Sequence, residues 1–357
     1  MAKQSINQYQ PELVSPPGDT LEELLEERGM AQAELAERTG RSKKLINEII
    51  QGKAPITAET ALQFELVLGV PARFWLEREQ QHRESLARRD EAASFVAVID
   101  WLKQVPVKDM VKLGWIERYQ EPIGQLRAVL RFFGIASPDQ WEASTAAFRK
   151  APAFESDPMA IAAWLRRGEL DAQKIAYAPF DEAAFRALLA RLRNLTVEPA
   201  DHFQPPLVTL CAAVGVAVVF VPELPRTHVS GATRWLSPTR ALIQLSLRHK
   251  TDDHLWFTFF HEAGHILLHG KRDIFLESGV ADDEKEQAAN RFAADMLIAP
   301  EAWERFVSTR DYRSKLVIGS FAREIGIAPG IVVGRLQHEK KIPPQNCNDL
   351  KRRFVWL

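Results

Sequence analysis

The stretch TDDHLWFTFFHEAGHILLHG (251–270) sets two histidines four residues apart, His261 and His265, with Glu262 directly after the first. Imidazole nitrogen suits zinc, and i,i+4 spacing on a helix lets two rings converge on one ion. A glutamate beside the first ring is aimed next to such an ion rather than at it, where it could take a proton from water whose pKa the metal lowers to about 7. On a wheel of about 100° per residue, with His261 at zero, His265 falls at about 40°, Thr258 at about 60°, His269 at about 80° and Glu262 at about 100°. Phe257, Phe259, Phe260, Ala263, Ile266, Leu267 and Leu268 occupy the rest, so the helix is apolar outside one arc. A buried arc of imidazoles and a carboxylate needs partners, and a divalent cation supplies them. On these five residues alone the alternative stays open: polar letters on an ordinary core helix.

A third ligand decides between the two. His269 stands roughly 12 Å along the helix axis from His261, too far for one straight helix to bring all three to one ion. Its expected role is a hydrogen-bonded core histidine or a group that supports the ligands from behind, and His254, near the helix start, reads as structural. The segment DDEKEQAANRFAADMLIAP (282–300) offers the missing group. Glu286, Asn290, Ala293 and Leu297 share one helical face, and Ala289 and Ala293 are small enough for tight packing on the first helix. Gly264, in mid-helix, costs roughly 1 kcal/mol against alanine and so points to close approach by another element. Glu286 would complete a His-His-Glu zinc site with water in the fourth position, and Asn290 could orient a ligand histidine. The competing reading makes Glu286 one more solvated charge beside Glu284 and Lys285.

The elements that must hold these residues can be read coarsely. SPPGDTLEELLEERG (15–29) opens a first helix that stops at Gly29, and short helices follow to about residue 80. A helical stretch punctuated by prolines runs from about 95 to 200, with Trp101, Trp115, Trp141 and Trp164 as expected core anchors. VGVAVVFVP (214–222), SGATRWL (230–236) and ALIQLSL (241–247) read as strands; the HEAGH helix, a helix over about 282–298 and helices over roughly 312–338 follow. The order is helices, a small sheet, then helices: a mainly α chain of α+β type. Three regions are expected, at 1–90, 91–204 and 205–357.

Within the first region, Ala33 and Leu35 to Glu37 sit on one short helix, Gly40 makes a turn, and a second helix runs from about Ser42 to Ile50. This is helix-turn-helix spacing, in which the second helix enters the DNA major groove with its N-terminal side chains. Arg41 to Lys53 hold four basic residues against one acid, Glu48. Gln32, Arg41, Ser42, Lys43, Lys44, Asn47 and Lys53 are the candidate contacts to double-stranded DNA, the lysines to phosphate and Asn47 to a base edge. The competing reading is a plain helical bundle with a solvated basic helix.

Composition limits the rest. Forty-six basic against 47 acidic side chains give no chain-wide field, so any nucleic-acid binding comes from a local patch. Two cysteines, Cys211 and Cys347, fit a reducing compartment. The opening MAKQSINQYQPELVSPPGD lacks the apolar core of a signal peptide and no later run suffices for a membrane span, so a cytoplasmic location with no membrane partner is expected.

Two resemblances sharpen these readings. FTFFHEAGHILLH followed by EQAANRFAADMLIAP resembles the ImmA/IrrE metallopeptidases, with VVFVPEL, GATRWL and ALIQLSLR similar to the small sheet before that helix and SFAREIGIAPGIVVGRLQ similar to the tail. The likeness covers roughly 205–340. It implies His261, His265 and Glu286 as ligands of Zn2+ and Glu262 as general base, in a family whose members cleave repressors to switch on stress or mobile-element genes. A substrate peptide could add to an exposed strand edge above the metal. LAERTG, LINEIIQGK, ITAETALQ and GVPARFWL resemble the HigA-type branch of the XRE/Cro helix-turn-helix family over about 18–80. Arg41 stands where that family has a small apolar residue and Leu45 where a polar one is common. Such modules bind pseudo-palindromic operators as homodimers. The expectation is a DNA-binding regulator carrying a zinc metallopeptidase that cleaves a repressor, a partner or itself. The alternative is an antitoxin that binds a toxin or ligand without cutting, and a further reading makes 95–200 a ligand sensor lined by tryptophans.

Overall fold

The computed structural model describes residues 14–141, 157–270, 275–277, 284–309 and 311–355. The chain divides into two compact units between Ile99 and Asp100. It is mainly helical with one small mixed sheet, as expected from the sequence.

The first unit is a bundle of α1 (Pro17–Glu27), α2 (Gln32–Thr39), α3 (Lys43–Ile50), α4 (Ala58–Leu68) and α5 (Ala72–Val98). Its boundaries follow local chemistry. Gly40 ends α2 at φ 66°, a left-handed turn that glycine adopts without strain, and the Ser42 hydroxyl accepts from the Leu45 amide to start α3. Leu21, Leu35, Ile46, Ile49, Phe64 and Trp75 form its core. A Cβ on Gly18 would stand 2.3 Å from the Ile50 carbonyl oxygen, so α1 crosses the end of α3 at backbone distance.

The second unit begins with α6 (Val107–Lys112), α7 (Pro122–Phe133), α8 (Pro158–Ala172), α9 (Glu182–Arg193) and α10 (Ala200–Ala212). Strands β1 (Val216–Phe220), β2 (Gly231–Ser237) and β3 (Arg240–Leu245) follow, then α11 (Asp252–Leu268), β4 (Phe275–Glu277) and α12 (Glu284–Leu297). Helices α13 (Pro300–Ser308), α14 (Lys315–Ile325) and α15 (Pro329–His338) come last. The sheet order is β1-β3-β2-β4, with β1 and β3 parallel and the other pairs antiparallel.

Strand alternation explains how the sheet is covered. Val216, Val218, Ala241, Ile243 and Leu245 join the core formed with α9 to α15, whereas Ala217, Val219, Ala232 and Leu242 join a core formed with α6 to α8. Both faces are dry, which is why VAVVF is unbroken apolar sequence rather than an alternation. The helical stretch expected as a separate region, 91–204, lies in the sheet's unit from Asp100 onward: α9 joins the core on one face of the sheet, and α6 to α8 cover the other. Trp115 and Trp164 are buried there. Trp101 and Trp141 pack edge-on against Phe133 at 6.2 and 4.7 Å, as core aromatics do.

Strand β4 is only three residues long and has no period-2 signature. It pairs with β2 in the register Thr233↔Phe275, Ala232↔Leu276 and Gly231↔Glu277. Strand β2, which packs on α11, thus has neighbours on both sides, and the sheet edge on that side is β4. Among the described residues no single helix is long and apolar enough to cross a membrane.

Candidate metal centre

Helix α11 is fixed at its start by two buried acids. Asp252 Oδ1 accepts from the amides of Asp253 (3.0 Å) and Arg352 (3.1 Å), and Asp253 Oδ2 lies 2.6 Å from Lys351 Nζ. Both carboxylates press on the backbone of α15 at glycines. A Cβ on Gly330 would stand 2.3 Å from Asp252 Oδ1, and one on Gly334 would stand 2.7 Å from Asp253 Oδ2. Burial and then the charge of Asp253 raise the Asp252 carboxyl to about 6, against the two backbone hydrogen bonds that lower it.

Further along, Phe259, Phe260, Ala263 and Ile266 anchor the apolar faces of α11. The polar arc turns toward β2 and α12. Thr233 Oγ1 donates to the Glu262 carbonyl at 3.1 Å, and a Cβ on Gly231 would come within 2.7 Å of Glu262 Oε1 and 2.5 Å of Thr258 Cγ2. The Glu262 carboxylate therefore lies close against the β2 backbone at Gly231. On the other side α12 approaches at Gly264, where a Cβ would stand 3.3 Å from Ala289 Cα and 3.1 Å from the Phe292 ring. The close approach that Gly264 and Ala289 implied is thus present, and it carries Glu286 and Asn290 to the arc.

The result is a compact set of donors. His265 Nε2 lies 3.0 Å from His261 Nε2, and Glu286 oxygens lie 3.1 Å from His261 Nε2 and 3.4 Å from His265 Nε2. Both rings are 1 % exposed and Glu262 is fully buried. Among the described residues this is the one group of three histidine, cysteine or acidic side chains able to share an ion. Zinc bound to nitrogen and oxygen at 2.0–2.2 Å sets tetrahedral ligand atoms about 3.3–3.6 Å apart, close to the separations found, so the residues fit that metal. His261 Nδ1 lies 2.9 Å from Asn290 Oδ1; with Nδ1 as the donor, Nε2 keeps its lone pair facing the other two ligands.

The charges of the three groups are coupled. Burial raises the Glu286 carboxyl, but hydrogen bonds and charge from the His261 and His265 rings, when these are protonated at Nε2, outweigh it and hold the group at about 2. Burial lowers His265 below 6.5, against the pull of Glu286. His269 caps the C-terminus of α11 outside this set, with Nε2 3.0 Å from the Lys285 carbonyl, and so ties the end of α11 to the start of α12. His254 is exposed near the helix start.

In the first unit, Gln32, Lys43, Lys44, Asn47 and Lys53 are exposed, the last four on or just beyond α3. Arg41 is not presented in the same way. Its Nε donates to Gln63 Oε1 at 2.6 Å and its Nη2 pairs with Glu59 at 2.9 Å, so it braces α4. Ser42 serves as the α3 cap. Gly231, Thr233, Asp252 and Gly330 escaped sequence reasoning. Gly330 and Gly334 did leave a signal, a G-x-x-x-G spacing within an apolar run that permits close backbone approach.

Residues 21–75 match the family model described as Helix-turn-helix, and residues 211–337 match the one described as IrrE N-terminal-like domain, a peptidase family. The two matches fall in different units. Among solved structures, an antidote protein of a plasmid maintenance system from Nostoc punctiforme is 27% identical, over 24% of this chain and 94% of that one, with a TM-score of 0.24. An addiction module antidote protein of the HigA family from Coxiella burnetii is 26% identical over 24% and 94%, with a TM-score of 0.22. Antitoxin GraA is 24% identical over 24% and 92%, with a TM-score of 0.23. No curated protein matches the chain.

Proposed function

We propose that this protein is a DNA-binding regulator that carries its own zinc metallopeptidase and acts by cleaving a repressor or partner protein. One observation carries the reading: two buried imidazoles and a carboxylate from a second helix converge at ligand spacing, with a second buried carboxylate, Glu262, next to them. The matches to a helix-turn-helix and to an IrrE-type domain support the two halves.

His261, His265 and Glu286 would hold the ion, and Asn290 would fix the ring of His261. Zinc held there would act as a Lewis acid toward the scissile carbonyl and make water a stronger acid. Glu262 serves as the general base. Its carboxylate takes the proton of the attacking water and then gives it to the amine that leaves when the C–N bond breaks. The backbone of β2 at Gly231 bounds that carboxylate, and the Thr233 hydroxyl holds the helix at the Glu262 carbonyl. Lys43, Lys44 and Lys53 supply phosphate contacts and Asn47 a base contact, on a dimer reading a two-fold operator in the reducing interior of a cell.

The test compares cells expressing the wild-type chain with cells expressing Glu262→Gln, by mass spectrometry of newly formed protein N-termini. A fragment of a regulatory protein that forms only with wild type, and whose formation chelator blocks in lysate, supports the reading. Identical N-terminal profiles under inducing and non-inducing conditions would overturn it.

A further inference from the structure

Helix α12 brings the carboxylate to the two imidazoles, and its two ends are held by different means. At the C-terminal end Leu297 and Ile298 are buried, Arg193 Nε donates to the Leu297 carbonyl at 2.8 Å, and Arg335 Nη1 donates to the carbonyls of Ala294 and Ile298 at 3.1 and 2.9 Å. At the other end Glu284, Lys285 and Gln287 are exposed, Glu286 is half-buried, and the first buried residue is Ala289. The turn that carries Glu286 therefore contains no buried apolar side chain, and a helix end of that kind opens more readily than one packed in a core.

His269 reaches this turn from the end of α11. Its Nε2 lies 3.0 Å from the Lys285 carbonyl oxygen, and since a carbonyl only accepts, Nε2 carries the hydrogen. A carbonyl oxygen has two lone pairs, so this bond can coexist with the one that the same oxygen accepts inside α12. The His269 amide donates to the His265 carbonyl at 3.2 Å, and the rings of His265 and His269 lie 5.1 Å apart. One residue thus holds a ligand of α11 by its backbone and the neighbour of the α12 ligand by its side chain. Those two ligands, His265 and Glu286, are themselves 3.4 Å apart. Two turns of helix, about 12 Å, separate His269 from His261, which keeps the His269 ring out of the ligand set while leaving it within reach of the start of α12.

Resting on the reading of His261, His265 and Glu286 as zinc ligands, we propose that His269 is a positioning residue for the metal centre: its Nε2–H fixes the first turn of α12 so that the Glu286 carboxylate meets both imidazoles. Partners that orient metal ligands in this way change metal affinity by about ten- to a hundred-fold when removed. A histidine that only ended α11 would leave the affinity to the three ligands.

The test uses the full-length protein and three side chains at position 269. His269→Leu keeps bulk and removes the donor, whereas His269→Gln returns an amide N–H near the place of Nε2. Zinc affinity is measured by competition with a chromophoric chelator, and the visible absorption of the cobalt(II) form reports the coordination geometry. His269→Leu should bind zinc about ten-fold more weakly than wild type with the metal-free Tm unchanged, and its cobalt spectrum should shift; His269→Gln should recover most of both. If His269→Leu does not fold without metal, His269→Ala replaces it in the same comparison. Wild-type affinity in the donor-free variant overturns the proposal, as does a His269→Gln chain that binds as weakly as His269→Leu. A metal-free Tm that falls in step with affinity overturns it too, since the bond would then serve the fold at large. A wild-type chain that binds no zinc would remove the metal reading and this proposal together, whereas the other outcomes bear on His269 alone.

Discussion

Glu262 is placed by its neighbours rather than by its own freedom. The Gly231 backbone leaves no room for a methyl group, and the Thr233 hydroxyl pins the helix at the Glu262 carbonyl. Gly231→Ala would put a Cβ 2.7 Å from Glu262 Oε1, so the carboxylate must move. Cleavage of a proven substrate should fall at least ten-fold while zinc stoichiometry stays at the wild-type value, because the atoms that a Cβ at Gly231 would meet first belong to Thr258 and Glu262. Unchanged turnover in that variant would show that the position of Glu262 does not matter to the chemistry. At this scale the sequence was informative: the HEAGH spacing and the shared face of Glu286 and Asn290 anticipated which groups meet. Gly231 was invisible because its meaning depends on which strand crosses the helix at that point.

At the scale of elements, the N-terminus of α11 stores a pH-dependent cost. The Asp252 carboxyl is raised from 3.8 to about 6 by burial and by Asp253. A carboxyl whose folded pKa exceeds its unfolded one binds more protons folded than unfolded in that window. Its contribution to stability is therefore fully present below 3.8 and is lost as pH rises through about 6. Asp252→Asn keeps an oxygen for the amides of Asp253 and Arg352 and removes the charge. The variant should melt higher than wild type above pH 6, with the difference narrowing as pH falls toward 3.8; a constant difference across that range would contradict the assignment. The helices of the second unit and strands β1 to β3 were legible because periodicity and proline marked them. Strand β4 was not, since three residues carry no pattern and its pairing with β2 is a long-range event. The packing of Asp252 and Asp253 on α15 was hidden for the same reason, as it links positions about 80 residues apart.

For the whole molecule, the boundary between Ile99 and Asp100 separates the basic helix from the His261-His265-Glu286 cluster in the sequence, and the two should respond to different substitutions. Replacing Lys43 and Lys44 by alanine should weaken operator binding and reduce the slope of log affinity against log salt by about two, since each phosphate that a lysine neutralises adds roughly 0.9 to that slope. Zinc content should not change; an unaltered slope would place the DNA-facing surface elsewhere. The middle region expected at 91–204 lies from Asp100 onward in the same compact unit as the sheet, with its helices shared between the two apolar faces, and periodicity alone does not say which helix covers which face. The measurement that bears most directly on the account is metal content after zinc loading and dialysis, by mass spectrometry of the intact metalloprotein. Wild type and Glu262→Gln should each retain one zinc per chain, whereas His261→Ala and Glu286→Ala should retain none. A wild-type chain that emerges metal-free, or a Glu286→Ala chain that holds zinc as tightly as wild type, would contradict it.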